Sequence, residues 1–121
     1  MHPIDVVEAA KHTLTPEKWT KGKYLRDDGT MCFVGVFAYL EARLYNRPLH
    51  DEGSIYEDEF FEAIMACGQV VREQYPDRIM TVEADADEEE VVIVFNDHAA
   101  TTLGDVHAVL EKAAVRLAEK V

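Results

Sequence analysis

Cysteine is scarce. The chain of 121 residues has two, Cys32 and Cys67, and both fall in stretches with helical periodicity. This excludes the disulfide-dense scaffold of many small secreted domains and predicts buried, reduced thiols. Long apolar runs are also lacking: the longest, residues 31–40, is too short to cross a bilayer. With no basic start leading through an apolar run to a small-residue cleavage site, the reading is of a cytoplasmic protein with no membrane partner. Bases are the third shortage, 12 Lys and Arg against 24 Asp and Glu, for a formal charge of -12. Phosphate contacts need clustered Lys and Arg, so direct nucleic-acid binding through a broad basic surface is excluded. Internal repeats, low-complexity segments and interdomain linkers are absent as well.

What is present suffices for one core. At 48% hydrophobic residues, a chain of this length buries roughly two thirds of its unfolded surface, and a single globular domain over residues 1–121 is expected. Pro3 suits a first helical position, and Ile4, Val7, Ala10 and Leu14 recur at helical spacing over residues 3–14. Thr15-Pro16 ends that helix, and Pro16 can also open a single turn, with Thr15 as its cap, that presents Trp19 to the core. A short basic segment follows, with a brief extended piece at residues 23–25, and closes in the turn signal Asp27-Asp28-Gly29. A second helix, residues 30–45, is apolar around much of its axis and is expected to be the central, most buried one. Gly35 within it implies that another backbone passes close by. Ser54-Ile-Tyr-Glu57 has the capping-box pattern and opens a third helix over residues 55–75. After Pro76 the periodicity changes. Residues 79–84 and 91–95 read as the strands of a short antiparallel β-hairpin, with the acidic residues 85–90 as its solvated tip. Thr102 with Asp105 caps a last helix whose apolar face is Leu103, Val106, Leu110, Ala113, Ala114 and Leu117. The expected class is α+β: a central apolar helix, flanking helices and the hairpin.

Three places carry possible chemistry. Cys32 stands at the start of the second helix, where free N–H groups and the helix dipole lower a thiol pKa. With His98, His107 or His50 as base, and Asn96 or Asp97 orienting it, Cys32 would serve a thiol hydrolase or transferase. Its neighbours Met31, Phe33 and Val36 point instead to a buried structural cysteine, so no catalytic residue is assigned. Asn96-Asp97-His98 closes the expected inner strand, where a rigid scaffold commonly holds ligand contacts. Asn96 and Asp97, with Trp19, are candidate binding residues there, or they satisfy turn amides. Asp105 and His107 add ligand types whose spacing matches no zinc motif, and residues 85–90 lack the glycine and terminal glutamate of a calcium loop. No metal or cofactor is expected. The third place is acidic: Asp51, Glu52, Glu57, Asp58, Glu59 and Glu62 run without a base, whereas residues 11–26 hold Lys11, Lys18, Lys21, Lys23 and Arg26. Such carboxylates suit a partner with a basic surface, or imitate a phosphate backbone.

Trp19-x-x-Gly22, Asp28-Gly29-x-x-Cys32-x-x-Gly35 and Phe95-Asn96-Asp97, followed by Val106, Leu110 and Ala113, together resemble a domain-of-unknown-function family of small actinobacterial and bacteriophage proteins. The chain has Val36 where members usually have a small residue. The resemblance implies a phage or actinobacterial cytoplasmic protein with no established activity. The function expected is that of a small acidic, non-catalytic accessory factor acting on a host protein, with a homo-oligomer possible. A thiol enzyme using Cys32 and an acidic nucleic-acid mimic are the alternatives.

Overall fold

The computed structural model describes residues 1–22, 25–48 and 56–120. Five helices form in them: α1 (Pro3–Thr13), α2 (Phe33–Leu44), α3 (Asp58–Gln74), α4 (Glu88–Asp97) and α5 (Leu103–Glu119), with one 3-10 turn at Pro76–Arg78. The expected extended piece at residues 23–25 and the Ser54 cap lie wholly or partly outside the described residues, as do His50 and Asp51.

The α+β class is overturned, because no strand forms among the described residues. Only two isolated bridges occur, Trp19 with Met31 and Leu25 with Met31. The segment expected as the inner strand is α4. Val91, Val92, Phe95 and Asn96 are buried while Glu90 and Asp97 are exposed, which is the period of a helix. Its start is set by Asp87, whose carboxylate accepts the Glu90 N–H at 2.9 Å, followed by Glu88, Glu89 and Glu90 in the first turn. Carboxylates there satisfy free N–H groups and oppose the helix dipole, so the supposed hairpin tip is a helix start. A run of four β-branched residues and a phenylalanine fits either element, and the cap with the packing around it decides. Residues 79–86 make two successive turns, Val82 N–H to Ile79 C=O and Ala86 N–H to Glu83 C=O, rather than a first strand.

The helices α1 and α5 follow their local signals closely, whereas α2 begins at Phe33 rather than at residue 30 and α3 at Asp58 rather than at residue 55, with Glu57 as its N-cap. His2 and Asp5 form a reciprocal capping box before α1, and Thr102 and Asp105 form the one expected before α5. Cys32 is the residue before α2, its Sγ accepting the Gly35 N–H at 3.3 Å. Residues 33–38 of α2 are all buried. It is α3, however, that packs substantially against all four others. Along α3, Gly68 lies against Glu88 and the Tyr75 ring lies 5.0 Å from that of Phe95, so α3 and α4 run side by side in the same direction. In contrast α1 and α5 are antiparallel, joined by Lys11–Glu111 and by His107 to the Leu14 carbonyl.

Two predictions follow from these contacts. A Cβ on Gly68 would come within 2.6 Å of Glu88 Cβ, whereas one on Gly104 would meet Thr102 Oγ1 at 3.5 Å. Urea unfolding should therefore show Gly68→Ala less stable by about 1–3 kcal/mol through overpacking. Gly104→Ala should be neutral or more stable by up to about 1 kcal/mol. The second concerns Asp105. Burial pushes its carboxyl up, but hydrogen bonds from Thr102 and Arg78 together outweigh this and hold it below its ordinary 3.8. A depressed folded pKa gives stability that is present above the unfolded value and lost as pH falls through the folded one. Stability measured from about pH 5 to pH 2 should therefore decline less steeply in Asp105→Asn than in the parent.

Candidate functional site

Asn96 organises the place where sequence motifs converge. It is 0% exposed, on the last turn of α4. Its Oδ1 accepts the Trp19 indole N–H at 2.7 Å and the Phe33 N–H at 3.2 Å, so it supplies an acceptor to the free N–H groups that open α2. Its Nδ2 donates to the Thr20 carbonyl at 3.1 Å and to Asp97 Oδ1 at 3.3 Å. Both donors and both acceptor positions of the amide are thus used. Asp97 is exposed and accepts the Gly22 N–H at 2.8 Å. Lys21 Nζ donates to the His98 and Ala99 carbonyls at 2.6 and 3.3 Å and lies 5.8 Å from the centre of the Trp19 ring. A cation is favourable at that end of α4. Trp19, Asn96 and Asp97 are therefore brought together, as the join between the loop of residues 14–32, α2 and α4.

The Cys32 thiol, His98 and His107 each contact a backbone group. Cys32 is 4% exposed and accepts the Gly35 N–H. His98 follows α4, and its Nδ1 accepts the Ala100 N–H at 3.0 Å. His107 lies on α5 with Nε2 2.7 Å from the Leu14 carbonyl, at the α1 interface. Cys67 is wholly buried on α3, which pushes its thiol pKa up and suppresses thiolate chemistry. Among the described residues, no group of three or more His, Cys, Asp or Glu is gathered as a metal ion requires.

Of the acidic surface, Glu57 accepts from Arg47 at 3.1 Å and Glu59 accepts from the Tyr45 hydroxyl. That bond is the main cause pushing Tyr45 up to about 12 and holding Glu59 below the ordinary carboxylate value. Asp58 and Glu62 are exposed.

Two features have little local signal in the sequence. Glu41 on α2 is 0% exposed; its carboxylate accepts the Glu57 N–H at 2.6 Å and pairs with Arg47 at 3.2 Å. Its signal was a lone carboxylate on a helix otherwise apolar on that side. The second is a cleft of about 590 Å³ between α1 and α5, with Val7, Leu14 and Leu110 in its lining and Lys11, His12 and Glu111 among its polar groups. Helical periodicity marks such faces as core and cannot show that their packing leaves a space.

The hub gives a graded expectation. Asn96→Ala removes the acceptor from a helix start and an indole and the donor from a carbonyl, and should cost about 3 kcal/mol in urea unfolding followed by Trp19 fluorescence. Asp97→Ala leaves the exposed Gly22 N–H to water and removes the longer of the two bonds from Asn96 Nδ2, and should cost less, about 1 kcal/mol.

No helix among the described residues is long and apolar enough to cross a membrane. Neither the curated proteins nor the solved structures provide a match to the chain. The family described as a family of unknown function (DUF6197) matches residues 1–116, which takes in Trp19, Cys32, Gly35, Asn96 and Asp97. The chain therefore belongs to this family of unknown function.

Proposed function

We propose that this chain is a small acidic protein that binds a partner with a basic surface and performs no reaction of its own. The observation that carries this reading is how its polar groups are divided. Cys32, Asn96, Asp97 and His107 are each hydrogen-bonded to backbone groups, whereas Asp58 and Glu62 are exposed on a chain of net charge -12. Groups committed to the backbone hold the fold, and exposed charge is left to act on what approaches. Action in the cytoplasm, a phage or actinobacterial source and a host protein as partner belong to the same proposal. They are supported by the motifs at Trp19, Cys32 and Phe95-Asn96-Asp97.

Exposed charges are screened beyond about 8 Å at physiological salt, so the association rate with the partner should fall steeply as salt rises. The test isolates the bound protein from an actinobacterial host lysate and measures its association with the purified chain from low to high salt. Asp58→Asn with Glu62→Gln should slow association about threefold or more at low salt while leaving the unfolding midpoint unchanged. Affinity indifferent to both salt and these replacements would remove the proposal. Turnover of a substrate that is lost in Cys32→Ala would replace it with the thiol-enzyme reading.

A further inference from the structure

The flank of α3 that α4 leaves uncovered combines an exposed aromatic ring with a rim of carboxylates. Because the two helices run in the same direction and Glu88, the first residue of α4, lies against Gly68, the first turns of α3 from Asp58 extend past the start of α4. Helical spacing puts Phe61, Met65 and Gly68 on one stripe. At Gly68 that stripe meets Glu88. Two turns earlier, about 10 Å along the axis, Phe61 is 53% exposed, with Met65 half-buried between them. Exposed Asp58 and Glu62 flank Phe61 on α3, and exposed Asp87 and Glu90 stand at the start of α4 beyond the stripe.

Charge selects the occupant. A second copy meeting this face with its own would bring like charges together, and an anionic lipid surface or a nucleic acid would be repelled in the same way. An apolar side chain seated on Phe61 and Met65, with bases on either side, satisfies both the ring and the rim. We infer that this face, from the first turns of α3 to the start of α4, docks a cationic amphipathic helix of a partner protein. The inference rests on the proposed function and names the chemistry of the partner. It also gives a docking surface a centre: an aromatic anchor carries much of the affinity of such a contact, and the carboxylates steer and orient it.

Two synthetic helical peptides of equal length and charge test this, one with leucines opposite its lysines and one with alanines in their place. Titrated into the isotope-labelled full chain, the leucine peptide should shift the amides of Asp58, Phe61, Glu62 and Met65 and bind about tenfold more tightly than the alanine peptide. Phe61→Ala should abolish that preference and leave the unfolding midpoint unchanged, since the ring is exposed and alanine favours the helix. Asp58→Asn with Glu62→Gln should weaken both peptides. Shifts centred on the cleft between α1 and α5, a preference that survives Phe61→Ala, no binding of either peptide, or a Phe61-dependent dimer in sedimentation would each overturn the inference. Equal, salt-sensitive binding of the two peptides would overturn it while leaving the proposed function standing. A natural partner indifferent to salt would instead remove the proposed function itself.

Discussion

A single buried amide allows the long irregular segment of this protein to lie against its core. Residues 14–32 form neither helix nor strand among those described, and backbone groups brought against an apolar core must find partners or carry a desolvation penalty. Some are met within the segment, as when the Met31 N–H donates to the Lys18 carbonyl and the Thr20 N–H to the Met31 carbonyl. The Thr20 carbonyl, the Trp19 indole and the Phe33 N–H are all met by Asn96. Because α4 carries that side chain, the position of α4 fixes both the segment and the start of α2. Cys32 is held at this junction, which accounts for the proximity of the Cys-x-x-Gly and Phe-Asn-Asp motifs without invoking chemistry between them.

Ion pairs perform a related task at the other connections. Glu41 meets the Glu57 N–H and Arg47 where α2 passes to α3. Arg72 reaches Glu88 and the Ala86 carbonyl where the chain turns back to start α4. Arg78 reaches Thr101 and Asp105 at the start of α5. These contacts involve backbone or capping groups as well as charges, so they specify where a helix begins more than they add Coulomb energy. Bases are the scarcer charge, and several are consumed in this way. The surplus carboxylates are consequently displayed, and the surface that remains to meet a partner is acidic.

Local signals made much of the fold legible. Pro3, the turn at Asp28-Gly29, the Thr102 and Asp105 box and the apolar stripes of α1, α3 and α5 each lie within a few residues of the structure they specify. At the turn, Asp28 accepts from the Thr30 N–H and hydroxyl, and Gly29 takes φ +87. The burial of Cys32 was legible for the same reason, since its apolar neighbours are adjacent in the chain. Val91-Val-Ile-Val-Phe95 looks like a strand from sequence because β-branched residues favour strands on average while five apolar residues do not distinguish the two periods. The pattern Asp87-x-x-Glu90 before that run was the local sign of a helix start, and it outweighed propensity.

By itself, then, the sequence determined where most helices lie, which of their faces are apolar, that the thiols are buried and that the surface is acidic, because each depends on residues close together along the chain. Tertiary structure alone decided that α4 lies parallel to α3, that Asn96 spends its amide on Trp19, Thr20 and Phe33, that Glu41 is buried beneath the start of α3, and that Phe61 is left uncovered. Those outcomes depend on groups brought together from distant parts of the chain, as Asn96 and Trp19 are across 77 residues. Which partner a polar group finds is set by how the helices pack, and no local pattern encodes it.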